Sequence, residues 1–451
     1  MPSRNSLVLV ACILGSVVVF VDSSVVNVAL PAIQRDLGGG LALQQWVVDA
    51  YLLTLGSLLL VGGSLGDLFG SRLVFLIGLA GFGVTSVVCA VAPTGGFLIV
   101  ARALQGVAGA TLTPAGLAVI TETFDGEQRG AAIGTWTAWT GIAFVIGPLV
   151  GGWIVTHASW RWIFLVNVPF VLVTMALVAR AVPRAERTGP RPAVDIVGAC
   201  LCALGLAGPV FALIEAPRRG FDDPLVLATF LGGLVLFVLF VLWERRTAAP
   251  MLPLRLFRLR NFSFANLETL FVYCGLSTLT FFLVLFLQQI AGYTPLQSGL
   301  TLVPITLVMF FLSPRMGRLS MRFGPRLFMS VGPFIAAVAS LAIARLGANF
   351  TYWTELLPPL LVFAFGLSLI VAPLTATVLA DAGPSDAGVA SGTNTSISRV
   401  AGLLGIAVVG AAVAGSSNSL DLDGFRLSMV ITAVLIATGG LVALTGIRNP
   451  R

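Results

Sequence analysis

Fourteen apolar runs leave this chain few ways to fold. They cover residues 6–30, 46–66, 73–92, 97–122, 131–156, 160–180, 194–215, 224–243, 262–290, 297–314, 327–345, 356–380, 388–414 and 424–447. About 20 apolar residues make one helical crossing of a ~30 Å hydrocarbon layer. At that depth the backbone has no water to bond, so a crossing segment must be a helix or part of a closed barrel. These runs are continuous rather than alternating, which argues against barrel strands. The fold class that follows is an all-α polytopic membrane protein. Composition agrees, with 57% hydrophobic and 10% charged residues against about 25% charged in soluble chains. No loop is long enough for a soluble domain. The first run opens after Arg4 like a signal peptide, but it continues to Leu30, contains Asp22 and lacks a small-x-small cleavage site. It is expected to remain as the first span.

All 26 basic side chains are arginines. With the N-terminus in the cytoplasm, eighteen fall on the inner side and six on the outer, while Arg102 and Arg399 lie within spans. This bias fits both termini on the cytoplasmic side and an even number of crossings. It also explains the net charge of +7 without a nucleic-acid partner. The five cysteines, Cys12, Cys89, Cys200, Cys202 and Cys274, lie in apolar runs and read as small buried residues rather than a disulfide or metal pair. His157, the single histidine, sits at an outer boundary, so no histidine-based metal or catalytic site is expected. No Walker turn and no nucleophile–base constellation is present, so neither a nucleotide cofactor nor an enzyme is expected.

A ten-residue joint, Gly63-Ser64-Leu65-Gly66-Asp67-Leu68-Phe69-Gly70-Ser71-Arg72, separates the second and third runs. It returns as Gly317-Arg318-Leu319-Ser320-Met321-Arg322-Phe323-Gly324-Pro325-Arg326, with Gly, Leu, Gly and Arg in register. Repetition of one joint after the second and tenth runs indicates two related halves. The expected division is a six-helix bundle over 1–180, a linker with two central helices over 181–261, and a second six-helix bundle over 262–451. Asp67 could cap a helix N-terminus or pair with an arginine and latch the inner face. The second copy has Met321 there, so this charge is confined to the first half.

Polar groups at membrane depth are costly and mark function by default. Asp22 lies about eight residues, ~12 Å, below the outer end of the first span, and Arg102 about five, ~8 Å, below that of the fourth. The two are within pairing reach, as a proton site or as a fixed ion pair. Arg102, Gly106, Gly109, Thr113 and Gly116 form one helical stripe that suits close packing or a cavity. Gly147, Pro148, Gly151 and Gly152 in the fifth span read as a hinge or as a static kink. Glu268 is a second proton candidate. Asp49, Gln105, Asn266, Asn394 and Arg399 are candidates for lining a substrate cavity, and Gln288 and Gln289 could do so or lie at the interface.

These residues resemble the major facilitator superfamily, and within it the fourteen-helix drug:proton antiporters. The joint is similar to the superfamily's Gly-x-Leu-x-Asp-x-x-Gly-x-Arg signature, with Leu68 where a basic residue is usual. Phe20 to Pro31 is similar to the helix 1 signature, Arg102 with Gln105-Gly106 to that of helix 4, and Gly147-Pro148 with Gly151-Gly152 to the helix 5 antiporter signature. Trp160 to Phe164 with Asn167 and Pro169 is also typical, as are Gly292 to Pro295, Gly299, Pro304 and Gly388 to Gly392 in the second half. The resemblance implies the major facilitator fold, two six-helix bundles plus two inserted central helices, with alternating access driven by inward proton flow. Members that export dications carry further membrane acids in the second half, where this chain has only Glu268 in the ninth span.

The expected function is proton-coupled export of small amphipathic compounds such as antibiotics and dyes. Asp22, Arg102 and Glu268 would handle protons, Gly63, Asp67, Gly70 and Arg72 would gate, and a monomer would work in the lipid bilayer. A dedicated carrier of one metabolite, lipid or vitamin is the alternative. A membrane scaffold or sensor is a further one, against which the intramembrane charges argue.

Overall fold

A computed structural model describes residues 4–183, 194–248, 250–252, 254–382, 386–413 and 420–449. The chain is helical, with no strand among the described residues. Its spans are α1 (Arg4–Leu37), α2 (Gly40–Phe69), α3 (Ser71–Ala90), α4 (Gly95–Thr123), α5 (Gly126–His157), α6 (Trp162–Ala181) and α7 (Ile196–Arg219). The others are α8 (Pro224–Glu244), α9 (Arg260–Ile290), α10 (Pro295–Phe323), α11 (Pro325–Ile343), α12 (Tyr352–Ala382), α13 (Gly388–Val413) and α14 (Leu422–Gly446). Thirteen of these are long and apolar enough to cross a membrane, and the remaining one, α5, has 32 residues. Most of the 181–193 loop, with Arg184, Arg187 and Arg191, lies outside the described residues, as does Arg451.

Local chemistry sets the helix ends. Thr94 caps α4, Asp223 caps α8 ahead of Pro224, and Thr294 forms a capping box with Gln297 ahead of Pro295 at the start of α10. These side chains satisfy amide groups that a helix cannot bond internally. Gly70 and Gly324 break α2 from α3 and α10 from α11 with φ of 95° and 86°, a conformation open to glycine.

Packing repeats along the chain. In the first bundle α1 packs on α5 and α6, α2 on α4, and α3 on α4 and α6. Eight helices later, α9 packs on α13 and α14, α10 on α12, and α11 on α12 and α14. The arginine of each joint closes the last helix of its own bundle: Arg72 donates to Ala179 O at 2.8 Å and Arg326 to Leu444 O at 2.7 Å. At the head of each bundle, Arg4 bonds Ala181 O and Arg260 bonds Gly446 O. All four cations meet a helix C-terminus, whose carbonyls carry partial negative charge. The recurrence of Gly and Arg in the joint thus has a physical cause in each half.

The bundles meet through α2 against α13 and α5 against α10, contacts that exchange when the halves are interchanged. The inserted α7 lies on both α2 and α13, and α8 lies outside it against α7. Leu231, Val235 and Val238 of α8 are exposed, the face lipid tails would cover.

Candidate functional site

In the middle of the first bundle a set of polar side chains closes on itself. Arg102 of α4 donates from Nη1 to Asp22 Oδ2 of α1 at 2.6 Å and to Gln105 Oε1 at 2.7 Å, and from Nε to Val47 O of α2 at 3.1 Å. Asp22 Oδ1 accepts from Gln105 Nε2 at 3.0 Å and from Asn167 Nδ2 of α6 at 2.9 Å. Ser86 of α3 accepts from Gln105 at 2.9 Å. Tyr51 of α2 stacks on the guanidinium, 4.2 Å from ring centre to Cζ. Asp22 is fully buried and Arg102 is 1% exposed. Such a pair persists only when the remaining donors and acceptors are also met, and five helices contribute to that.

Gln105 therefore belongs to this network rather than to an open cavity. Arg102 and Gln105, three residues apart, reach the same carboxylate because they lie on one helix face. The small-residue stripe has a packing role: a Cβ at Gly106 would strike Thr54 and Tyr51 of α2, and one at Gly109 would press on Leu55 of α2. Asn167 and Ser86 were not singled out from sequence as site residues. Serine and asparagine in a membrane helix ordinarily bond their own backbone or a neighbouring helix, so neither announces a shared carboxylate.

The second bundle differs. Glu268 of α9 is fully buried and neither carboxyl oxygen has a hydrogen-bond partner among the described residues. Asn266, expected at a cavity, is also buried, and its Oδ1 accepts from Asn394 of α13 at 3.0 Å. Asn394 bonds Thr269 as well, at 2.8 Å. These three tie α9 to α13. Asp49 also departs from the expected cavity position. It is fully buried with both oxygens unpartnered, one turn inward from Gln45, which bonds Ile406 O of α13. Its place on the α2 face that meets α13 removes it from any open surface.

Partly exposed residues remain where α1, α9 and α13 face one another, including Phe20, Ser23, Tyr273, Ser277 and Arg399. Arg399 lies over the Phe20 ring at 5.2 Å, so of the expected cavity residues it is the one that reaches the opposite bundle here.

Toward the α1–α2 connection the halves are closed. Gln288 donates to Val28 O at 2.9 Å and Gln289 to Gln34 at 3.1 Å. A Cβ at Gly152 would meet Leu296 Cα at 2.7 Å, and one at Gly299 would strike Pro148 O. Gly147 and Gly151 allow equally close approach to Ser24 and Val25 of α1. The Gly147–Gly152 segment is thus a backbone contact on two neighbours at once. A vestibule of about 540 Å³, bordered by Gln34, Gln288 and Gln289, sits over the seal. At the opposite end Asp67 is exposed and forms no ion pair among the described residues, so the expected latch is not engaged in this arrangement. Gly63 faces Pro114 of α4.

Known proteins support the same assignment. The chain is 38% identical to the puromycin resistance protein pur8 of Streptomyces alboniger over 422 residues, covering 92% of this chain and 83% of that one. It is 34% identical to the tetracenomycin C resistance and export protein of Streptomyces glaucescens, with 92% and 77% covered. An auto-inhibited POT family peptide transporter has the same fold, with a TM-score of 0.71 at 17% identity over 98% of this chain and 96% of that one. The Major Facilitator Superfamily model matches residues 12–406, and the chain belongs to that family.

Proposed function

We propose that the protein is a proton-driven exporter of small amphipathic compounds, antibiotics and dyes among them, of the fourteen-helix drug:proton antiporter type. It works by alternating access as a monomer in a bacterial cytoplasmic membrane, both termini inside, with the proton gradient as its energy source. Residues 1–180 and 262–451 move as bodies, and the helices within 181–261 accompany them. The observation that carries this reading is the buried network around Asp22, since a carboxylate at that depth is costly unless it is used. The names of the related resistance and export proteins point the same way.

The chemistry follows from the bonds. A proton arriving on Asp22 Oδ2 displaces the donor Arg102 Nη1 and removes the ion pair. Arg102 keeps Gln105 Oε1 and Val47 O as acceptors, so its charge relaxes toward α2, and the neutral Gln105 amide on Asp22 Oδ1 is what still joins α4 to α1. Loss of the proton restores the pair. Only a state that admits water to Asp22 exchanges that proton, which couples it to bundle movement. Glu268 is a second proton site in this scheme. The closed outer side and exposed inner joint correspond to an inward-facing state.

Everted vesicles carrying the protein are expected to accumulate a dye such as ethidium when acidified inside, and those carrying Asp22→Asn are expected not to. Undiminished proton-driven accumulation by Asp22→Asn would remove Asp22 from the cycle.

A further inference from the structure

Arg399 is a mid-span guanidinium that the proton network does not use. It stands eleven residues from the start and fourteen from the end of α13 (Gly388–Val413), close to mid-membrane. No hydrogen bond or ion pair among the described residues engages it. The Phe20 ring of α1 lies 5.2 Å from its guanidinium carbon, and no carboxylate pairs with it among the described residues. Arg102, by contrast, has an acid, an amide and a carbonyl.

Packing alone does not account for this. A cation–π contact occupies one face of the guanidinium and leaves its in-plane N–H groups without acceptors. An arginine held at mid-membrane without an anion is costly. Unlike the buried Glu268, Arg399 is partly exposed, and it reaches across the junction of the bundles to Phe20 of α1. A planar fork of donors with aromatic rings around it suits a carboxylate, sulfonate or phosphate attached to an aromatic body.

We propose that Arg399 is the anion-recognition point of the substrate cavity, so that the protein prefers amphipathic compounds bearing an oxyanion. This rests on the exporter reading and narrows it. The oxyanion takes the in-plane donors, and its aromatic body lies against Phe20 and Tyr273. Phe20 is two residues from Asp22 on α1, and Tyr51 contacts Arg102 with its ring, so a bound anion adjoins the elements that carry the proton. Outward movement of one anion against one inward proton also transfers net positive charge inward, which the membrane potential favours.

The test compares 2-naphthoate with its neutral isostere 2-naphthamide, by calorimetry on the purified full chain in lipid-free neutral detergent. Naphthalene-2-sulfonate and 2-naphthyl phosphate serve to separate the oxyanion types. The unsubstituted protein is expected to bind naphthoate about tenfold more tightly than naphthamide, the scale of one charge-assisted contact. Arg399→Gln should bring that ratio to about one by weakening the anions alone, and Arg399→Lys should retain part of it. A ratio near one in the unsubstituted protein, undetectable naphthoate binding, or equal weakening of both ligands by Arg399→Gln would overturn the proposal. The binding ratio needs no transport, so absence of proton-driven movement of both naphthoate and dye would defeat the exporter reading and leave this measurement standing. A lost ratio with dye export intact would defeat only the anion site.

Discussion

The two six-helix bundles share a scaffold and differ in how they handle buried charge. In the first, Asp22 and Arg102 satisfy each other, with Gln105, Asn167 and Val47 O completing the set. In the second, among the described residues, Glu268 is buried without a partner, as Asp49 is in the first, and Arg399 is partly exposed without an anion. The first arrangement stores a charge pair that one proton can open. The second sets no such ion pair among its described residues. The scaffold tolerates both because its helix packing is set by small residues and helix-end arginines that the halves have in common.

The largest effect should come from breaking the closed network. Arg102→Leu leaves Asp22 buried with neutral donors only, at a cost of about 3–5 kcal/mol in thermal or denaturant unfolding. Pairing it with Asp22→Leu should recover much of that stability but no proton-driven transport. Glu268→Gln, which removes no recorded partner, should change stability by less than about 1 kcal/mol. Equal losses for Arg102→Leu and Glu268→Gln would abolish the contrast between the bundles.

The contact between the bundles comes next. Gly152→Val pushes side-chain atoms into Leu296 and Pro295, a clash of about 1–3 kcal/mol against the outer-closed state. Labelling of a cysteine placed in the outer vestibule should rise accordingly. Gly130→Ala, where a Cβ meets nothing within 4 Å, should leave labelling unchanged.

The shared scaffold predicts paired, smaller effects. Arg72→Ala and Arg326→Ala each remove a cap on the last helix of a bundle, and each should cost about 0.5–1.5 kcal/mol. A large loss for one alone would show that the repeated joint does different work in the two halves. Smallest of all, Asp67→Asn should shift stability by less than about 0.5 kcal/mol, since Asp67 is exposed and unpaired here. Its effect, if it latches the inner face in another state, should be confined to transport rate.

Much of the architecture was legible because membrane spans are local in sequence. Each apolar run reports its own helix, and arginine placement orders the loops. Asp22 and Arg102 could be matched by depth, since 1.5 Å per residue turns sequence position into height. Depth does not report azimuth. Asp49 and Gln105 lie at useful heights but face a bundle seam and an ion pair, and nothing in their own stretches separates those from a cavity wall. Asn167 and Ser86 gain meaning only from Asp22, which is far away along the chain.

The sequence by itself determined an all-helical membrane protein, its two related halves and the polar residues that need a reason to be buried, because hydrophobic length and turn chemistry act over short distances. Tertiary structure alone decided which of those residues are partners. Helices distant in the chain rotate and pack to satisfy one another, and that packing closes the set around Asp22 while leaving Arg399 without an anion.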